Sequence, residues 1–291
     1  MCQEAITPFC QHFAALLACS SPGKNLSELP KEVMNKKYRI QFPQAESTHL
    51  DQNESYFYLQ HEDGQRKIRF HDYNEIYKLP GLYEQIFYDR LKCSSPEKVT
   101  SILEAAVKQS QDNLSELRIL DLGAGNGMMG EALQNHGVSR LVGVDIIPEA
   151  YDATIRDRPG LYDAYYIEDF TSLTNQKREE IALWQCDCMV TVAALGFGDI
   201  PPKAFIEALN IVKSEAWVAF NIKQTFFDVD DNSGFSKMIR ELIFSKYLDV
   251  YYIERYRHRL SIDGEPLYYF AIAARKRFDV PDAFLESIGI V

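Results

Sequence analysis

The stretch RILDLGAGNGMMGEAL, Arg118 to Leu133, places glycine at 123, 125 and 127 between an apolar run and a run at helical spacing. ILDL reads as a buried parallel strand and GMMGEALQNH as the helix that follows it. A glycine-rich turn in that position holds a dinucleotide, a nucleoside triphosphate or a methyl donor, or is simply a tight turn. Spacing separates these readings. The dinucleotide fingerprint G-x-G-x-x-G needs glycine at 128, where this chain has Met128, and no lysine follows the glycines as a phosphate loop requires.

Outward from this stretch, short apolar runs alternate with helical ones. RLVGVDI, YDAYYIEDF, CDCMVTVAAL and AWVAFNI read as strands, and PEAYDATIRDR and PPKAFIEALNIV as helices. This alternation predicts an α/β fold with a mostly parallel sheet and helices on both faces. Near the C-terminus, GFSKMIRELIFSKY reads as a helix, and VYYIERYRHRLSI and PLYYFAIAARKRF around DGE as an antiparallel hairpin. Upstream, YFYLQHEDGQRKIRF (Tyr56 to Phe70) predicts a hairpin turning at HEDG, Leu82 to Leu91 a helix, and SSPEK the start of a helix running to about Ser110. Phe9, Phe13, Leu16 and Leu17 share one helical face, read as a docked or partner-facing helix. The expected division is an N-terminal extension and lid over 1–95, the α/β domain over 96–278, and a tail over 279–291.

The 291 residues are 46% hydrophobic and carry a net charge of −11, which argues against nucleic acid as the main partner. One candidate for a local basic patch, RYRHRL (Arg255 to Leu260), reads as the outer face of a strand. No run of 18 apolar residues occurs, so no membrane span is expected. The six cysteines lack C-x-x-C spacing, and Cys186 and Cys188 would share a strand face as buried free thiols, which points to a cytoplasmic location. The acidic run Asp228–Asp231 lacks the spacing of a tight octahedral site, so no metal is expected.

Asp121, Gly123, Gly125 and Gly127 form an acid-x-G-x-G-x-G pattern, and here the chain resembles the class I S-adenosylmethionine-dependent methyltransferases. Arg158, Gly160, Leu161 and Tyr162 form an R-x-x-GLY element like that of the small methyltransferase-like family that includes the Williams–Beuren-region methyltransferase. The likeness spans about residues 70 to 276. One departure is KSEA, Lys213 to Ala216, where many relatives read KPGG. The resemblance implies a Rossmann-like methyltransferase fold with a seven-stranded sheet, and S-adenosylmethionine as cofactor with S-adenosylhomocysteine as product. It implies that Asp121, Gly123, Ala124, Gly125, Asn126 and Gly127 hold the methionine end of the donor. Asp145 would take the ribose and Ile146 the adenine, Asp169 and Phe170 would border the adenine, and Thr191 and Val192 would lie near the donor. Tyr83 and Tyr88 would come from a lid closing over it.

Methyl transfer needs alignment more than a fixed catalytic residue. The acceptor side is therefore sought in segments that cover the strand ends: His71, Tyr73 and Tyr77 of the lid, Phe197 and Asp199 after the fourth strand, and Asn221, Lys223, Phe226 and Phe227 after the fifth. His258, alone in a strand, reads as structural. The expected function is methyl transfer to an O, N or S atom of a small molecule, without a membrane partner; a homodimer is compatible with it. The alternatives are a protein methyltransferase that docks its target through the extension, and a non-catalytic S-adenosylmethionine-binding module.

Overall fold

The computed structural model describes residues 36–43, 52, 54–62, 64–196, 198–227 and 234–290, all within one compact unit, Lys36–Val291. The Phe9–Leu17 stripe, the run Asp228–Asp231 and Phe197 lie outside the described residues, as do the side chains of Phe226 and Phe227.

Three antiparallel strands come first: β1 (Ile40–Gln41), β2 (Tyr56–His61) and β3 (Gly64–Arg69), paired in that order. The β2–β3 hairpin turns at HEDG as its residues predict. β1 is too short to show a period. Helix α1 (Tyr73–Tyr77) follows, then α2 (Leu82–Glu84), which widens into a π turn over Gln85–Arg90. The helix expected over Leu82–Leu91 therefore changes pitch at Gln85, whose side chain accepts the Tyr38 N–H (2.8 Å) and donates to the Tyr38 carbonyl (2.7 Å). Helix α3 (Ser95–Gln109) starts at the expected proline, Pro96.

The α/β block then runs β4 (Arg118–Leu122), α4 (Met128–Asn135), β5 (Arg140–Asp145), α5 (Pro148–Asp157), β6 (Ala164–Ile167), α6 (Asn175–Ala182), β7 (Cys188–Thr191), α7 (Pro202–Ile211), β8 (Trp217–Lys223), α8 (Phe235–Phe244), β9 (Leu248–Leu260), β10 (Pro266–Lys276) and α9 (Phe284–Ser287). The seven strands lie in the order β6-β5-β4-β7-β8-β10-β9. Pairs from β6 to β8 are parallel, while β10 is antiparallel to both β8 and β9. This is a Rossmann-like α/β fold with a C-terminal antiparallel hairpin, and the last strand is inserted inside the sheet rather than added at its edge.

Strand periodicity sorts the core into two layers. Val218, Phe220 and Ile222 of β8 face α7 and α8 together with Leu120, Val142 and Met189. Trp217 and Ala219 face α3 and α4 with Ile119, Leu141 and Val190. Cys186 packs in the first layer and Cys188 in the second, so the expectation that they share a face is wrong. Cys186 precedes β7, and strand alternation does not reach it. Both are buried and free.

The run RYRHRL also departs from its reading as an outer face. Arg255 and Arg257 are exposed, but Tyr256, His258 and Arg259 are buried. Opposite the consecutive residues Leu267 and Tyr268 stand Arg259 and Arg257, so His258 is the extra residue of a β-bulge. A bulge breaks the in–out alternation, which turns Arg259 to the side it would otherwise avoid. Among the described residues no helix is long and apolar enough to cross a membrane.

Phe220 is fully buried and meets Phe205 edge-on, with centroids 5.4 Å apart. Phe220→Ala should cost about 3–5 kcal/mol, the range for a large aromatic removed from a packed core. The shift of the denaturant midpoint measures it, and a loss under about 1 kcal/mol would show that this layer is not the core.

Candidate functional site

In the sheet, β4 has β5 on one side and β7 on the other, so the strand order reverses at β4. Open α/β sheets bind ligands in the crevice at such a point, beyond the strand carboxyl ends. A cavity of about 380 Å³ lies there, walled by the loop after β4, the end of β5, the loop after β7 and the segment holding His71, Tyr73, Tyr77, Tyr83 and Tyr88.

Gly125 is the hub of the first wall. Its N–H donates to Asp145 Oδ2 (2.9 Å), and its carbonyl accepts from Thr154 Oγ1 (2.9 Å) and Tyr165 Oη (2.7 Å). Its φ of +55° is left-handed, and a Cβ there would stand 2.6 Å from the Tyr77 hydroxyl. Only glycine meets both conditions at no cost. At Gly123 a Cβ would stand 2.8 Å from Ile200 Cδ1. Gly127 (φ +90°) caps α4, packed against Leu161, and does not itself line the cavity.

Asp145 closes β5 with its carboxylate held by two N–H groups, Gly125 to Oδ2 and Ile147 to Oδ1 (3.0 Å). Burial pushes its pKa above the usual carboxylate range, and these bonds oppose the shift. Beside it, Ile146 is 57% exposed, an apolar side chain presented to the cavity. Asp121 lies behind the wall at 1% exposure. Tyr162 Oη donates to its Oδ2 (2.7 Å), while Oδ1 has no hydrogen-bond partner among the described residues. Burial pushes this carboxyl up to about 7.

The other residues singled out from the sequence divide as follows. Ala124, Asn126, Val192, Tyr77, Tyr83, Tyr88, His71, Asp169 and Phe170 line the cavity. The Asp169 carboxylate is turned onto its own loop, accepting the Thr171 N–H (2.8 Å) and hydroxyl (2.7 Å) and the Ser172 hydroxyl (3.2 Å). Its neighbour Glu168 reaches the same wall. Thr191 does not line the cavity; it is fully buried, one residue short of Val192. Lys223 and Asn221 are also absent from the walls. Asn221 is buried because it continues the inward alternation of β8. It donates to Tyr256 Oη (2.7 Å) and Ser95 Oγ (3.1 Å), and its Oδ1 accepts the Ala193 N–H (2.7 Å). That bond fixes Ala193, a cavity residue at φ +57°, where a residue other than glycine is strained. His258 belongs to the same buried network through Ser95.

Two features escaped the sequence reading. Arg158 and Tyr162 of the R-x-x-GLY element brace the glycine loop. Arg158 bonds Glu84 Oε1 (2.9 Å), Glu131 Oε2 (2.8 Å) and the Asn126 carbonyl (3.0 Å), tying α2 to the loop. Across the cavity, His71 Nδ1 stands 3.0 Å from Asp199 Oδ2. A carboxylate only accepts, so the hydrogen of this contact sits on Nδ1. No group of three or more His, Cys, Asp or Glu among the described residues could hold a metal ion.

Two outcomes follow. Gly125→Ala should cost about 1–2 kcal/mol for the left-handed backbone, plus the clash with Tyr77. Unfolding of the single and double mutants should show Tyr77→Phe recovering the clash and not the backbone part; no recovery would place Tyr77 elsewhere. Folded Asp121 binds its proton more tightly than the unfolded chain, whose value is the usual 3.8. Its stabilisation is full below about pH 4 and is lost as pH rises through about 7. Thermal midpoints across that window should fall more steeply for wild type than for Asp121→Asn, and parallel profiles would contradict this.

No family model matches the chain, and no curated protein does. Solved structures similar to it include three methyltransferases. Magnesium protoporphyrin IX methyltransferase from Synechocystis PCC 6803, with bound SAM, is 13% identical at a TM-score of 0.44, over 62% of this chain and 79% of that one. The N-methyltransferase NodS from Bradyrhizobium japonicum WM9 is 15% identical at 0.42, over 62% and 96%. An S-adenosylmethionine-dependent methyltransferase from Mesorhizobium loti is 13% identical at 0.43, over 61% and 100%. Likenesses this distant decide neither the activity nor the substrate of this chain. What the chain itself shows is a Rossmann-like sheet with a glycine-walled cavity at its switch point.

Proposed function

We propose that this chain is an S-adenosylmethionine-dependent methyltransferase acting on an O, N or S atom of a small acceptor. The observation that carries the reading is the pair at the end of β5: a held carboxylate, Asp145, beside an exposed apolar side chain, Ile146, both on the cavity wall. A carboxylate offers about four acceptor positions, and the two N–H bonds leave room for two ribose hydroxyls. Ile146 offers an apolar face to the adenine.

The residues fit the rest of the donor. The glycine loop lets backbone approach where a Cβ would block it. The Oδ1 of Asp121, without a hydrogen-bond partner among the described residues, suits the donor's ammonium group, met directly or across a water. Once bound, the donor supplies an activated methyl on a sulfonium, and displacement leaves S-adenosylhomocysteine. His71, oriented by Asp199, is the side chain placed to receive the acceptor's proton. Tyr73, Tyr77, Tyr83 and Tyr88 give the cavity an aromatic wall against which the acceptor can pack. An aromatic-walled cavity and the net charge of −11 favour a small molecule over a nucleic acid.

Calorimetry with S-adenosylmethionine and S-adenosylhomocysteine tests the donor half. Both should bind, and Asp145→Ala should weaken each at least tenfold. Absence of binding by either ligand, or an Asp145→Ala protein that titrates like wild type, would overturn the reading.

A further inference from the structure

The bulge at His258 delivers an arginine to the interior. Arg259 is 4% exposed, and among the described residues its side chain makes one hydrogen bond, from Nη1 to the Leu260 carbonyl (2.8 Å). It forms no ion pair among the described residues, and its guanidinium lies 5.4 Å over the Phe70 ring. A guanidinium carries five N–H donors in a planar fork, and burying it without an anion is unfavourable. Burial lowers its pKa from the ordinary arginine value, yet arginine keeps its charge in proteins.

Arg259 borders a recess of about 40 Å³. Phe70, Phe87 and Tyr269 supply aromatic walls, and the recess shares His71, Tyr73, Tyr83, Ala193 and Asp199 with the main cavity. A space of that size admits a group of two or three heavy atoms, not a whole metabolite. The side chain that ends there is a cation whose fork matches a carboxylate. The nearby carboxylate, Asp199, is already engaged with His71.

We propose that the acceptor is a small organic acid whose carboxylate enters this recess and pairs with Arg259, while its body lies between Tyr73 and Tyr83 with the methylated atom near His71. This deepens the methyl-transfer reading and rests on it. Arg259 then sets specificity: it holds the end of the acceptor remote from the reacting atom, and the length between them selects the acid. A neutral analogue would leave the guanidinium buried without a counter-charge, and it should be rejected for that reason.

The test titrates the protein, loaded with S-adenosylhomocysteine, with benzoate and phenylacetate and with their neutral amides. Each acid should bind at least tenfold tighter than its amide. Arg259→Met should abolish that preference and leave S-adenosylhomocysteine affinity unchanged. It should also raise the melting temperature, since a buried charge is removed; an arginine serving only the fold would lower it. If Arg259→Met does not fold, Arg259→Lys keeps the charge without the fork and should weaken the acids selectively. Acids and amides that bind alike, or a preference that survives in Arg259→Met or Arg259→Lys, would overturn the proposal. The two readings fail separately. Acid binding without S-adenosylhomocysteine binding removes the methyl donor and keeps the anion seat. The converse removes the seat and keeps the donor.

Discussion

The peptide groups of Gly125 are the point on which the site depends. One N–H and one carbonyl there bond to Asp145 at the end of β5, Thr154 on α5 and Tyr165 on β6. Three successive units of the sheet therefore converge on one residue, and that residue has no side chain because Tyr77 stands where a Cβ would be. The left-handed backbone is tolerated because these bonds over-determine it. Moving Gly125 would move Asp145, Tyr77 and the wall of the cavity together.

Much of this was legible in the sequence, for identifiable reasons. Asp145 and the glycines sit at the end of strands whose apolar runs are long enough to read, so their place at the crevice follows from strand direction alone. Asn221 and Thr191 were misplaced because the ends of β7 and β8 cannot be read to one residue, and one residue decides between core and cavity. Arg259 was hidden more deeply. Its sequence context is a basic strand, and only the extra residue at His258 turns it inward. Nothing local marks that bulge. The work of Arg158 and Tyr162 was invisible for another reason: their partners, Glu84 and Asp121, lie 74 and 41 positions away.

The buried charges make a pattern. Among the described residues, Asp121 keeps an oxygen without a partner behind the glycine loop, and Arg259 keeps most of its fork without one at the recess. Folding alone would favour replacing each with an apolar residue. Sites built for ligands carry such penalties, which the ligand relieves on binding. Here the two charges have opposite sign and lie toward different parts of one connected space, so each suits a different group.

The place of β10 has a consequence for how the chain acquires its structure. Among the described strands β9 pairs with β10 alone, and β8 has β10 as its second neighbour. During synthesis, residues 248–260 emerge before 266–276, so β9 waits with no edge to join and β8 keeps an open row of peptide groups. Until the last strand threads between them, both present unpaired backbone, the condition under which nascent sheets associate with the wrong partner. The exposed charges of β9, Glu254, Arg255 and Arg257, guard that interval.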